Sequence, residues 1–130
     1  LKANYDKYPD KSGIVYRLNE EYVEIDNVKI YQYVNSLVTY LKSNYRNIAI
    51  IGSNKLEWVI SFLAVFGYVG NPILIDKELD KETIIKIFEK IEPDLIILDD
   101  ELSFVFENYE ILKFSEIYEI MKQQDKKMAQ

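Results

Sequence analysis

Three short runs of apolar residues recur along the middle of the chain. They are Ile48–Ile51, Ile73–Ile75 and Leu95–Leu98. Continuous apolar runs of this length suit strands that are covered on both faces, as in a parallel sheet. Residues 55–68 and 81–91, which separate the runs, have helical patterns. The resulting order of strands and helices predicts two βαβ units and therefore an α/β fold with a parallel sheet.

The two predicted helices differ in the distribution of their apolar residues. Residues 55–68 are apolar around nearly the whole circumference, which predicts a helix that is buried on several sides. Gly70-Asn71-Pro72 predicts its end. Residues 81–91 carry one apolar stripe and one charged face, and Asp80 is the predicted N-cap.

The N-terminal flank predicts a hairpin followed by a helix. Residues 1–13 are expected to form an irregular lead-in. Ile14–Leu18 and Tyr22–Ile25 then predict a β-hairpin around residues 19–21, with a second turn at Asp26-Asn27. Apolar residues at helical spacing predict a helix over residues 30–44.

The pattern is weaker after residue 98. Phe104–Phe106 and Glu110–Leu112 are predicted to be short strands. Ser115 is the predicted cap of a last helix that ends at Met121. The polar residues 123–130 are expected to fray.

Composition indicates a globular domain and removes several kinds of site. The 130 residues are 48% apolar, which suffices for a single domain over residues 1–130. The net charge of −6 argues against a nucleic-acid partner. Because Cys and His are absent, disulfides, Cys/His zinc sites and His bases are excluded. We find no apolar run of the roughly 20 residues that a transmembrane segment needs and no signal peptide, so we expect a cytoplasmic location.

The turn Gly52-Ser53-Asn54 joins an apolar strand to a predicted helix, the geometry that holds phosphates in nucleotide-binding folds. A dinucleotide fingerprint needs three glycines, and a phosphate loop needs GxxxxGK[ST]. Here one glycine is present, and Lys55 follows no second one. The sequence therefore favours a structural corner, in which Gly52 makes the turn and Ser53 or Asn54 caps the helix.

Acidic residues follow two of the predicted strands, in the segments PILID at 72–76 and PDLIILDD at 93–100. Carboxylates at the ends of parallel strands can bind magnesium or accept a phosphoryl group. PDLIILD resembles the third strand of bacterial response-regulator receiver domains, which implies a phosphoacceptor role for Asp99. Only one predicted helix separates Asp76 from Asp99, however, and a receiver has two helices and a strand there. The simpler interpretation is that these carboxylates meet solvent.

The aromatic residues have two possible roles. Trp58 and Phe62 could line a ligand pocket, but their helical spacing favours core packing. The charged run from Asp76 to Glu82 is most simply a solvated loop and helix start. From the residues alone no complete catalytic constellation emerges, and a non-catalytic α/β interaction module stays open.

The segment from Ile48 to Asp80 resembles AMP-forming acyl-CoA synthetases of the adenylate-forming superfamily. That family shows an apolar strand, a small residue with Asn, a Glu-Trp-like pair that opens a buried helix, and then a glycine and a proline. The corresponding positions are Gly52, Asn54, Glu57, Trp58, Gly70 and Pro72. Asp76-Lys77-Glu78-Leu79 looks most like the long-chain fatty-acid branch, although Pro72 lies two residues earlier than in that branch. Two flanking segments, Tyr8–Val15 and Ile30–Leu41, extend the resemblance to roughly residues 8–100.

This resemblance implies that the chain is a partial N-terminal subdomain of the adenylate-forming fold. The family's ATP-, magnesium- and ribose-binding motifs lie further along than residue 130. No catalytic, cofactor-binding or metal-binding residue can therefore be assigned in this chain. ATP, Mg²⁺ and coenzyme A are implied for the parent enzyme, and the implied partner is the remainder of that synthetase.

Overall fold

A computed structural model describes residues 12–18, 21–41 and 44–129 of the chain. The described part alternates strands with helices, and a π-helical turn over Val65–Val69 follows the second helix. The elements are β1 (Ser12–Leu18), β2 (Glu21–Asp26), α1 (Asn27–Leu41), β3 (Asn47–Ile51), α2 (Leu56–Ala64), β4 (Asn71–Ile75), α3 (Lys81–Ile91), β5 (Leu95–Leu98), β6 (Ile111–Lys113) and α4 (Phe114–Ala129).

The main sheet has four strands in the order β4-β3-β5-β6, and every neighbouring pair is parallel. β3 is central, because its Ile50 pairs with Leu74 of β4 and with Ile97 of β5. The predicted α/β fold with a parallel sheet is thereby confirmed. The three apolar runs of the sequence are the three strands β3, β4 and β5.

Helices cover both faces of this sheet. Ile48 and Ile50 of β3 belong to a core cluster with residues of α1, α2 and α4. Ala49 and Ile51 point the other way, into a second cluster with Ile84 and Phe88 of α3. Because alternate residues of a strand face opposite sides, a strand segment between two cores has to be apolar on both faces, as Ile48–Ile51 of β3 is.

The predicted N-terminal hairpin is present, since β1 and β2 pair antiparallel. The irregular lead-in predicted over residues 1–13 is wrong for residues 12 and 13, which belong to β1. Residues 1–11 and the turn residues 19 and 20 lie outside the described residues. The turn predicted at Asp26-Asn27 is wrong, because β2 ends at Asp26 and α1 begins at Asn27. Oδ1 of Asp26 accepts a hydrogen bond from the Lys29 amide at 2.8 Å, which satisfies a first-turn amide of the helix.

Three predictions for the C-terminal part need correction. Residues 104–106 form no strand. β6 is shifted by one residue from the predicted strand. Ser115 does not cap α4 but lies inside its first turn, where its amide and hydroxyl both donate to Asp100, at 2.9 and 2.7 Å.

The last helix also runs to Ala129 rather than ending at Met121. Two contacts with α1 explain the extra turns. The Tyr33 hydroxyl donates to Asp125 at 2.8 Å, and the Ser36 hydroxyl donates to Gln124 at 2.8 Å. The polar side chains of this segment, which predicted fraying, instead form hydrogen bonds between α4 and α1. Among the described helices, none is both long and apolar enough to cross a membrane.

Candidate functional site

The carboxyl ends of the parallel strands place several polar segments at one edge of the sheet. Gly52-Ser53-Asn54 follows β3, Asp76-Lys77 follows β4, and Asp99-Asp100 follows β5. The chain leaves β3 toward β4 on one side and leaves β5 toward β6 on the other. Ligands of open α/β sheets bind at such a point, outside the carboxyl ends of the strands.

Gly52 is required at this edge by close packing. A Cβ built on Gly52 would lie 2.7 Å from the Cβ of Asp99 and 2.7 Å from the ring of Phe114. Gly52 directly follows β3, and its close contacts disfavour any side chain at this position. Its missing side chain lets α4 and the β5 terminus approach β3.

Asp99 is the best-held side chain of the edge. It is only 1% exposed. Its carboxylate accepts hydrogen bonds from the Lys55 ammonium at 3.0 Å, the Glu101 amide at 3.1 Å and the Ser53 amide at 3.2 Å. Burial acts to raise the pKa of Asp99, but these hydrogen bonds outweigh it and hold the pKa below the usual value of 3.8.

Lys55 lies between two carboxylates. Its Nζ is 3.0 Å from Asp99 and 2.9 Å from Glu101. Partial burial lowers the pKa of Lys55, but the hydrogen bonds and charges of the two carboxylates reverse this, so the pKa is raised. Because the buried Asp99 carboxylate is paired with Lys55 and accepts hydrogen bonds from two backbone amides, the cluster of Lys55, Asp99 and Glu101 favours a structural role for Asp99 over a phosphoacceptor role.

A shallow cavity of about 370 Å³ lies next to this charged cluster. Residues from the ends of β3 and β4 and from the first turn of α2 line it: Gly52, Ser53, Asn54, Trp58, Leu74, Ile75, Asp76 and Lys77. The Lys77 ammonium donates to the Ser53 hydroxyl at 3.1 Å and joins the two loops. Its lining offers one aromatic ring, one amide and both signs of charge.

The structure brings four of the six family-motif positions, together with Asp76, to one region. Gly52, Asn54, Trp58 and Asp76 border the cavity, and Glu57 precedes Trp58 in the first turn of α2. Burial raises the pKa of the Glu57 carboxyl above its usual value. That these positions have the structural roles typical of the family stays a prediction.

Gly70 and Pro72 lie apart from the cavity, at the start of β4. A Cβ on Gly70 would lie 2.6 Å from the Arg46 carbonyl oxygen, so the chain before β3 and the chain before β4 pack too closely there for a side chain. Gly70 therefore permits the close approach of these two segments at the amino-terminal end of the sheet.

One prediction about the corner itself is wrong. Neither Ser53 nor Asn54 caps α2; Lys55 occupies the N-cap position, and its side chain makes no capping hydrogen bond. The Ser53 amide binds Asp99 instead, which holds the corner against β5 rather than against the helix.

Sequence reasoning missed the roles of Lys55, Lys77 and Glu101. Their signal was available only through the predicted topology, which places the residues after β3, β4 and β5 side by side. Trp58 and Phe62 both pack against the core, as their spacing favoured, and Trp58 also lines the cavity. Within the described ranges, no cluster of three or more acidic residues could hold a metal ion.

The solved structures that match the fold of this chain include an adenylation protein of nonribosomal peptide synthesis. The chain matches an artificially fused adenylation–PCP di-domain nonribosomal peptide synthetase, NpsA-ThdA from Klebsiella oxytoca, with a TM-score of 0.76 and 15% identity over 95% of this chain and 23% of that one. It matches the N-terminal subdomain of Klebsiella oxytoca NpsA in complex with 3-hydroxybenzoyl-AMSN with a TM-score of 0.75 and 14% identity, over 95% of this chain and 31% of that one. A third match is the nonribosomal peptide synthetase FmoA3, with a TM-score of 0.70 and 12% identity over 91% and 13% of the two chains.

These matches show that the chain has the fold of part of the N-terminal subdomain of adenylation domains. The chain spans less than a third of the length of each of these structures. No family model and no curated protein matches the sequence.

Proposed function

We propose that this chain is the N-terminal part of an AMP-forming acid–CoA ligase and that it is inactive by itself. The observation that carries the proposal is the agreement in fold with an adenylation N-terminal subdomain over 95% of this chain but only 31% of that subdomain. The parent enzyme would activate a carboxylate with Mg-ATP to an acyl-adenylate and then transfer the acyl group to coenzyme A.

The proposed substrate class is a long-chain fatty acid. Its support is the run Asp76-Lys77-Glu78-Leu79, which resembles the long-chain branch of the family. A cytoplasmic location accompanies the proposal as an expectation from the sequence.

The proposed role of this part is to build one wall of the parent, without contributing reacting groups. The Lys55–Asp99–Glu101 cluster supports this role, because the buried Asp99 carboxylate is already paired with Lys55 and accepts a hydrogen bond from the Glu101 amide. Asp99 fixes the corner after β3 to the end of β5 through the Ser53 amide. Such a contact positions a loop, and an activation step would take place elsewhere in the parent.

Carboxylate-dependent exchange of pyrophosphate into ATP tests the proposal. We expect no exchange from the purified 130-residue chain. We expect exchange from the parent protein with palmitate, and much less with an amino acid or an aryl acid. Exchange by the short chain, or a parent that accepts only amino acids, would overturn the proposal.

A further inference from the structure

Large apolar side chains are exposed along one side of α2 and the neighbouring edge strand. Phe66 is 69% exposed and Leu74 is 50% exposed. The rings of Trp58 and Phe62 stack with centroids 5.7 Å apart, and those of Phe62 and Phe66 stack with centroids 5.6 Å apart. We call Trp58, Phe62, Phe66 and Leu74 the aromatic face. The helix predicted over residues 55–68 is buried on several sides, as its pattern indicated, but Phe66 is exposed.

The four residues form one surface. Trp58 and Leu74 line the same cavity at the end of β4. Leu74 pairs in register with Ile50, whose side chain belongs to the core on the α2 side of the sheet. Leu74 therefore points to the same side as the three stacked rings.

The unpaired side of β4 borders this surface, and it limits the ways in which another segment can pack against it. The Asn71 amide donates to the Arg46 carbonyl of the chain leading into β3, so by alternation the backbone of Pro72 and Leu74 faces away from β3. Pro72 has no N–H to offer a further strand. Side-chain packing on the aromatic face, rather than a long hydrogen-bonded ladder, is the favoured mode of covering.

We infer that the aromatic face is the docking surface for the rest of the N-terminal subdomain, supplied by the same polypeptide. This inference rests on the proposed function. The solved NpsA subdomain contains more than three times the length that this chain matches, so most of a subdomain of this fold lies outside the 130 residues. Single exposed apolar residues are ordinary, whereas connected aromatic rings beside an open sheet edge mark an interaction surface.

Other exposed apolar residues fit this role less well. Val105 is 65% exposed but lies in the loop before β6, outside this surface. Tyr40 and Tyr118 share a groove, but Ser115, Glu116, Glu119 and Gln123 also line it. Their phenol groups suit water as well as a partner.

Thiol labelling tests the inference, because the chain contains no cysteine. Phe66→Cys and Leu74→Cys are introduced singly into the 130-residue chain and into the parent protein. Val105→Cys is the exposed control, and Ala64→Cys is the buried control, since Ala64 is 0% exposed. Maleimide modification is followed over time, and peptide mapping by mass spectrometry locates each label.

In the 130-residue chain we expect the thiols at 66, 74 and 105 to react at similar rates. In the parent, the thiols at 66 and 74 should react more slowly by about tenfold or more, because modification then requires local opening. The modification rate of the thiol at 105 should be the same in the parent as in the 130-residue chain. Unprotected thiols at 66 and 74 in a parent whose position 64 stays unreactive would overturn the inference.

Binding of the dye ANS to the short chain gives a second measurement that does not depend on the parent. Combined Phe66→Ser and Leu74→Ser should remove most of the ANS signal, and combined Val105→Ser and Tyr118→Ser should leave it. An equal loss from both pairs would contradict the assignment of this surface. Failure of pyrophosphate exchange with protected thiols would overturn the proposed ligase and leave the docking surface standing.

Discussion

This chain buries the central strand β3 on both faces but leaves part of the edge strand β4 exposed. Ile48–Ile51 of β3 are fully buried between two cores, and the end of β3 is fixed by the charges around Asp99. β4 is one of the two edge strands, and its Leu74 is half exposed beside the stacked rings of the aromatic face. The centre of the fold is thus stabilised by contacts within the chain, whereas its β4 side presents a surface suited to further packing.

The largest contrast between these regions is expected for two phenylalanines. Phe88 is fully buried under the sheet, and Phe66 is exposed on the aromatic face. Phe88→Ala should lower the free energy of unfolding by about 3–5 kcal/mol because it leaves a cavity. Phe66→Ala should change it by less than about 0.5 kcal/mol. Urea unfolding followed by circular dichroism measures both, and equal losses would show that the aromatic face is already covered in this chain.

Two glycines sharpen the same contrast. Gly52→Ala should cost about 1–3 kcal/mol, because the added methyl group overlaps Asp99 and Phe114. Gly67→Ala is the matched control: nothing lies within 4 Å of a Cβ there. In a helical turn this change should be neutral or stabilise by up to about 1 kcal/mol. Thermal unfolding in parallel distinguishes them, and a stable Gly52→Ala variant would contradict the packing at the β3 corner.

The charged cluster gives a pH-dependent prediction. Asp99→Asn should reduce the free energy of unfolding at neutral pH by about 1–3 kcal/mol, since it removes the ion pair and weakens buried hydrogen bonds. Because the folded-state pKa of Asp99 is lowered, its contribution is complete above the ordinary value of 3.8 and is lost as pH falls through the folded pKa.

Unfolding titrations of wild type and Asp99→Asn from pH 7 downward check this sign. The difference between the two proteins should shrink only below about pH 4. A difference that stays constant into strong acid would show that the Asp99 carboxylate contributes little as a charge. Glu101→Gln, at the exposed end of the cluster, should have a much smaller effect.

The smallest expected effect concerns the start of α3. The Asp80 side chain accepts a hydrogen bond from the Thr83 amide at 2.8 Å, as an N-cap does. Asp80→Ala should cost about 1 kcal/mol, and Asp80→Asn should retain most of the stability. Chemical denaturation compares the two variants, and equal behaviour of Ala and Asn would argue against a capping contribution.

The sequence predicted the βαβ core well because its signals were local. Apolar runs bounded by turn residues are sufficient to indicate β3, β4 and β5, and Asp80 was confirmed as a cap. The errors arose where a distant side chain decided the outcome. The Ser115 hydroxyl donates to Asp100 instead of capping α4, and the Ser53 hydroxyl accepts from Lys77 instead of capping α2.

The candidate site was predictable only in part, for the same reason. Gly52 was identified as a turn residue, but its contact with Phe114 depends on where α4 packs. Lys55 belongs to no recognisable motif. Its two carboxylate partners lie in a distant segment, and Asp99 is 44 positions away along the chain. Such long-range contacts can be predicted only when the order of the strands in the sheet is known, and hydrophobic periodicity does not determine that order.

The π-helical turn at Val65–Val69 sets the alignment between α2 and the edge strand. The Gly70 amide donates to the Val65 carbonyl at 3.0 Å, which closes a ring one residue larger than that of an α-helix. On the other side, Gly70 is confined by the carbonyl oxygens of Tyr45 and Arg46. If the turn kept its π-helical hydrogen bond, deletion of a single residue here would shift β4 by one position and exchange its two faces. Leu74 would then turn toward α3, so the length of this connection, counted to the residue, decides which side of the sheet remains apolar and open.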